Sequence, residues 1–169
     1  RELASQGLCQ RVYGGAVLPT PKPAPLRERL TQDRGDKAEL AARVVALLQP
    51  VQVLLIDAGS TNQAIAQQLP GALALTVITN APQIATAAAW QAGTTVHLIG
   101  GRLAEGGGAV GAEALAQVQR LRADVYLPGA CAVDADTGVW AMDGEEATLK
   151  RAMLACASRV IVASTTEKM

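Results

Sequence analysis

The chain has 169 residues, half of them apolar, with 15 basic and 15 acidic side chains and a formal net charge of zero. That is enough apolar material for one core of ordinary size. Zero net charge excludes the strongly basic face of a DNA-binding surface for the chain as a whole, and no apolar run approaches the ~18 residues of a membrane span. There is no Phe and much Ala, a bias that suits Ala-rich helices packed closely on a Val/Leu/Ile sheet. Cys9, Cys131 and Cys156 form no C-x-x-C pair and read as free thiols of a reducing, cytoplasmic protein without a signal peptide. The lone His97 sits in the apolar run Thr95–Ile99, so neither a metal site nor a cofactor is expected.

In chain order, Arg1–Gly7 reads as the end of a helix closed by glycine and Leu8–Tyr13 as a short strand before Gly14-Gly15. The helix has almost no body, so a preceding segment is expected in the natural protein. Pro19, Pro21, Pro23 and Pro25 alternate, which makes a stiff extended linker. The boundaries drawn are a remnant over 1–18, a linker over 19–26 and a main domain over 27–169, its C-terminus incomplete. A helix begins near Thr31 and carries Leu40, Val44, Leu47 and Leu48 at helical spacing until Pro50.

Strands are then expected over Val51–Ile56, Leu73–Ile78, Thr95–Ile99, Asp124–Leu127 and Arg159–Ala163. Helices are expected over Ser60–Leu69, Pro82–Gln91, Gly111–Leu121 and Glu145–Ala157. Ser60 or Thr61 would be the N-cap of the first of these. A strand–turn–strand falls at 130–142, its turn at 134–138 being a plain turn because no downstream acid completes a calcium loop. Glu105–Gly108 is a glycine-rich, mobile loop. Trp90 and Trp140 are read as packing residues, and Glu146 with Lys150 as an i, i+4 helix pair. The alternation predicts an α/β fold, Rossmann-like, with a mostly parallel sheet and helices on both faces.

Asp57-x-Gly59-Ser60-Thr61, Thr79-Asn80 and Gly100-Gly101 each follow a predicted strand. Ligands bind outside such strand ends in open α/β sheets. A tight turn into a helix N-terminus presents unpaired N–H groups and the positive end of the dipole, the setting for a phosphate. Ser60 and Thr61 would hold the phosphate, Asn80 a sugar hydroxyl, and Asp57, which repels phosphate, would face hydroxyls or hold a loop.

These residues, with Gly111, Gly129 and Glu145-Glu146-x-x-x-Lys150-Arg151, resemble the C-terminal effector domain of DeoR-type bacterial transcriptional regulators over about 27–168. Leu3–Gly7 and Arg11–Val17 resemble the end of that family's N-terminal winged helix-turn-helix. The resemblance implies a fold similar to ribose-5-phosphate isomerase and CoA transferases. It implies a non-catalytic, cytoplasmic sensor of a phosphorylated sugar, a homo-oligomer (dimer or tetramer), that controls operator DNA binding, as a repressor, through the domain of which residues 1–18 are the remnant. Carried over by position, the ligand-binding candidates are Asp57, Gly59, Ser60, Thr61, Thr79, Asn80, Gly100, Gly101, Arg102, Gly111, Glu145 and Lys168. Two places depart from the family pattern: Ala132 stands where a glycine is common, and Ser164-Thr165-Thr166-Glu167-Lys168 lacks an acid. The wall around Ala132 is therefore where selectivity is expected.

The alternative reading is a sugar-phosphate isomerase with Glu145 or Glu146 as general base. A methyltransferase would need a glycine where Thr61 stands.

Overall fold

The computed structural model describes residues 10–13, 15–17, 24–136, 138–141 and 143–165. Two short strands come first, β1 (Gln10–Val12) and β2 (Gly15–Val17), paired antiparallel. The expected helix end at 1–7 and most of the proline linker lie outside the described residues. The helix expected from Thr31 is α2 (Arg34–Val45), and a short helix that was not expected, α1 (Leu26–Arg29), precedes it. Asp33 separates them in a left-handed conformation, φ 48°, so the helical path breaks there.

The main body is β3 (Val53–Ile56), α3 (Ser60–Gln67), β4 (Thr76–Thr79), α4 (Pro82–Ala89), β5 (Thr95–Leu98), β6 (Arg102–Leu103), β7 (Ala109–Val110), α5 (Ala112–Val118), β8 (Ala123–Leu127), β9 (Ala132–Asp134), β10 (Gly138–Trp140), α6 (Gly144–Ala155) and β11 (Ala157–Val160). Strands β3, β4, β5, β8 and β11 form one parallel sheet in the order β11-β8-β3-β4-β5. Pleating sends successive side chains to opposite faces. Leu54, Ile56, Val77, Val125 and Leu127 meet α2, α3 and α4 through Val44, Ile65 and Ile84. Leu55, Ile78 and Tyr126 meet α5 and α6 through Val118, Leu149 and Met153. Strands covered on both faces read as continuous apolar runs, and the sheet with helices on both sides matches the expected fold class.

Several boundaries move. Strand β4 starts at Thr76 because Gly71–Leu73 forms a 3-10 turn, followed by Ala74 at φ 48°. The 105–108 loop is the turn of an antiparallel hairpin, β6 with β7, which the local pattern did not suggest. The hairpin expected at 130–142 is present as β9 and β10. Helix α6 and strand β11 begin earlier than expected, at Gly144 and Ala157. Trp90 is 82% exposed and Trp140 53%, so neither ring is core packing within this chain. His97 is exposed on the edge strand β5. Among the described residues no helix is long and apolar enough to cross a membrane.

Candidate functional site

Strand order fixes where a ligand can sit. From β3 the chain moves outward to β4 and β5, then returns to place β8 and β11 on the other side of β3. The order of strand addition therefore reverses between β3 and β8, and the crevice opens at the carboxyl ends of those two parallel strands.

Asp57 ends β3 in that crevice, only 3% exposed. Its Oδ1 accepts from the Ala58 amide at 2.8 Å and its Oδ2 from the Gly129 amide at 3.1 Å. The Tyr126 hydroxyl donates to Oδ2 at 3.5 Å. Lys150 on α6 forms a buried ion pair with Oδ2, and its Nζ also donates to the Gly129 carbonyl at 2.8 Å. A buried charge needs such compensation to be tolerated. Burial first, and the Asp57 carboxylate second, push the Tyr126 phenol well above its ordinary range, so it stays a donor. Asp57 thus does what the sequence allowed as one option: it holds a loop. Gly129 is obligatory here, since a Cβ on it would lie 1.8 Å from the Ala58 carbonyl oxygen. Asn62 Nδ2 ties the same ends together, donating to the carbonyls of Asp57 at 2.8 Å and Leu127 at 2.9 Å.

Helix α3 springs from this clamp. Its N-cap is Gly59, with no side-chain cap bond, and not Ser60 or Thr61 as expected. Both hydroxyl residues lie inside the first turn. Their Oγ and Oγ1 atoms are buried without a hydrogen-bond partner, and so is Asn80 Oδ1 beyond β4. All three residues line one cleft. Asn80 itself is fixed, its Nδ2 donating to the Ala109 carbonyl at 3.1 Å while its own carbonyl accepts from the Ala109 amide at 2.7 Å. Buried polar atoms are nearly always paired in native structures, so three orphans around one space call for an absent partner. The first-turn amides of α3 have no intrahelical acceptor either.

The β6–β7 turn forms the roof. A Cβ on Gly108 would lie 2.6 Å from Asn80 Nδ2, and one on Gly106 would lie 2.5 Å from Glu146 Oε1, so the turn rests directly on both side chains. Asp143 caps α6 through the amides of Glu145 at 2.9 Å and Glu146 at 3.0 Å. Glu146 is half-buried at the cleft; burial raises its carboxyl pKa, and the Lys150 ammonium works against that rise. Arg29 of α1 and Cys131 complete the wall, around a cavity of about 40 Å³. Among the described residues, no cluster of three or more His, Cys, Asp or Glu could hold a metal ion.

The cleft therefore gathers Asp57, Gly59, Ser60, Thr61 and Asn80. Thr79 lies just beneath, fully buried, its Oγ1 accepting from the Ala81 amide at 3.1 Å. The remaining candidates stand elsewhere. Gly100 donates its amide to Gln117 Oε1 at 3.2 Å, and Gly101 packs on the Val110 carbonyl and Ala114. Arg102 and Glu145 form an ion pair with each other at the surface. Gly111 borders a separate groove with Glu145 and Thr148. Lys168 lies outside the described residues. Ala132 is exposed on β9; the wall expected there is built by Pro128, Gly129, Ala130 and Cys131 instead. The pattern alone did not single out Arg29, Asn62, Gly106 or Gly108 as site residues. Glu146 was visible as a helix partner of Lys150, as part of the family motif and, on the isomerase reading, as a base; Lys150 was not seen as the partner of Asp57, although the acid at the end of β3 required a buried cation from somewhere.

Known proteins are similar to this chain in sequence and in fold. A family profile described as "DeoR C terminal sensor domain" matches residues 32–169. The HTH-type transcriptional regulator GlpR of Haloferax volcanii is 30% identical over 172 residues, covering 100% of this chain and 67% of that protein. The glycerol-3-phosphate regulon repressor of Escherichia coli is 30% identical, covering 90% of this chain and 62% of that protein. Transcriptional repressor AccR of Agrobacterium fabrum is 29% identical, covering 95% and 64%. The chain thus spans roughly two thirds of the length of these curated relatives. In fold it is similar to ribose 5-phosphate isomerase A from Methanocaldococcus jannaschii, at TM-score 0.59 and 16% identity over 81% of this chain and 55% of that one. A D-ribose-5-phosphate isomerase in complex with phospho-erythronic acid gives 0.57 at 16% identity, over 79% and 53%. The curated relatives are transcriptional regulators by name, and the isomerase likeness is one of fold alone. The chain belongs to the family of DeoR C-terminal sensor domains.

Proposed function

We propose that the β3–β8 cleft binds the phosphate ester of a small sugar or polyol, and that its occupancy controls operator binding by a transcriptional repressor of which this chain is the sensing part. The observation that carries the reading is the trio of buried, partnerless polar atoms, Ser60 Oγ, Thr61 Oγ1 and Asn80 Oδ1, around the N-terminus of α3. Two hydroxyl donors beside unpaired helix amides suit a phosphate, and an amide oxygen suits a hydroxyl of the ligand. Asp57, neutralised by Lys150, supplies shape rather than net charge. Gly59 lets the turn approach the ligand, and Thr79 supports Asn80 from below. Candidates outside the cleft, namely Gly100, Gly101, Arg102, Gly111 and Glu145, act by supporting the β6–β7 hairpin and α5. Lys168 is carried as a ligand candidate on family resemblance only.

The relatives' names support the regulatory half: one is an HTH-type regulator and one a glycerol-3-phosphate regulon repressor. On this reading a helix-turn-helix N-terminal to the sensor reads operator DNA, the protein works in the cytoplasm as a homo-oligomer, and ligand binds one subunit arrangement better than another, as regulation requires.

A thermal-shift screen of phosphorylated sugars and polyols tests this, with their unphosphorylated counterparts as controls. A true ligand at ~100 times its Kd adds about 2.7 kcal/mol of stability. Ser60→Glu, which puts a carboxylate where the phosphate sits, should erase the shift. A screen in which phosphorylated and unphosphorylated compounds behave alike would sink the reading.

A further inference from the structure

One wall of the cleft comes from the segment that precedes α2. Helix α1 directly follows the segment that joins the sensor to the β1–β2 hairpin, and it lies across the mouth of the site. Leu26 meets the roof, since a Cβ on Gly107 would sit 2.4 Å from Leu26 Cδ2. Arg29 reaches the cleft itself beside Gly106, Glu146 and Lys150. Its Nε donates to the Ala24 carbonyl at 2.8 Å, so the same guanidinium clasps the chain leading to the hairpin. The helix is pinned from the other side by Lys37, 7% exposed, whose Nζ donates to the carbonyls of Arg29 at 2.6 Å and Gln32 at 2.7 Å.

Charge points to the role. Among the described residues lining the cleft, the cations are Arg29 and Lys150, and the acids are Asp57 and Glu146. Lys150 is committed to Asp57. A phosphate monoester brings close to two negative charges at neutral pH. The helix terminus offers roughly half a unit of positive charge; Arg29, which also faces the Glu146 carboxyl, is the other cleft cation placed to supply more. A guanidinium has five donors in a fixed fork, and one on Ala24 leaves others for a phosphate.

Resting on the proposed reading of the cleft, we infer that Arg29 is an additional ligand-binding residue for the phosphate group and that, by gripping it, Arg29 fastens α1 and the adjoining segment to the sensor. Occupancy is thereby felt at α1 and at Ala24 through a single side chain, with no change needed in the sheet.

The test uses the 169-residue chain with sn-glycerol 3-phosphate, ribose 5-phosphate and inorganic phosphate as probes. Binding is measured by calorimetry and amide hydrogen exchange is followed over residues 24–32. The wild type should bind at least one ester and exchange more slowly at 24–32 when loaded. Arg29→Ala should weaken that binding by roughly 10-fold or more, the size of a lost charge-assisted bond, and abolish the ligand-dependent slowing. Arg29→Lys should recover part of both. Ser60→Glu should abolish binding of the probes and with it the ligand-dependent slowing at 24–32. A purely structural clasp on Ala24 would speed exchange equally with and without probe and leave affinity unchanged, and that result overturns the inference alone. If no probe binds the wild type, the phosphate reading of the cleft fails and the role of Arg29 falls with it.

Discussion

Two clusters of polar residues stand at strand ends of this sheet, and they differ in how complete they are. Around β5 and α5, polar groups answer one another: Arg102 pairs with Glu145, and the Gly100 amide with Gln117. Around β3 and β8 the chain builds a buried ion pair, a carboxylate with several donors and a glycine contact that tolerates no side chain, and then leaves three polar atoms unfinished. At the first strand end these pairs answer each other and explain themselves as structure. The second leaves buried polar atoms without a protein partner, the partners that the proposed ligand would supply.

The contrast breaks most sharply at Lys150. Lys150→Met leaves the Asp57 carboxylate buried without its cation and should lower stability by about 3–5 kcal/mol, as removal of one partner of a buried pair does; chemical denaturation measures it. If the loss is within that of a surface pair, the clamp is not the keystone described. Gly129→Ala comes next, with a loss of about 3 kcal/mol as the loops after β3 and β8 are forced apart, and a lowered Tm with weakened ligand binding is the expected pair of readouts. Thr61→Val keeps the shape and deletes an unpaired hydroxyl. The unliganded protein should then be unchanged or more stable by about 1 kcal/mol, while affinity for the phosphate ester falls. A marked loss of unliganded stability would mean that the hydroxyl already has a partner.

A smaller effect is set by pH. The folded-state pKa of Glu146 is raised above 4.5, mainly by burial. The protonated form is thus favoured by folding; its contribution is complete below 4.5 and is lost as pH rises through the raised value. Denaturation midpoints across that window should decline with pH in the wild type, and Glu146→Gln should flatten the decline. Smallest of all is the other cluster: Arg102→Ala should cost about 0–1 kcal/mol, because the pair is largely exposed, and titration with a phosphate ester should give the wild-type affinity. A large loss of affinity there would move the site toward β5.

How much of this was legible in the sequence follows from the range of each interaction. The apolar runs of β3, β4 and β8 and the helical periods between them report local burial, so the fold class could be read directly. Asp57, Ser60, Thr61 and Asn80 stood out because each follows a strand. Whether strand ends meet depends on the order of strands, which no local pattern carries; hence Gly100 and Gly101 looked equivalent to Asn80 but lie after β5, at the sheet's edge. Lys150 looked like a helix partner of Glu146, yet it finds Asp57, distant in sequence. Arg29 was obscured because α1 is a four-residue helix, too short for a period. The β6–β7 hairpin has two residues per strand and hid for the same reason. Ser60 and Thr61 were expected to cap α3, but Gly59 starts the helix and frees both hydroxyls.

The closeness of the roof has a kinetic consequence. With Gly106 and Gly108 resting on Glu146 and Asn80, the cavity of about 40 Å³ has room for a few waters. On the proposed reading, a sugar phosphate is admitted as the β6–β7 turn lifts from Asn80 and Glu146. Association should therefore be gated: in rapid mixing the observed rate should climb with ligand concentration and then level off at the rate of opening. The apparent affinity carries the same signature, since it is the intrinsic one reduced by the fraction of time the turn stands open. A bulkier residue at Gly106, by propping the turn, would speed entry and exit alike, so the response time of the sensor is written in the smallest side chains of its roof.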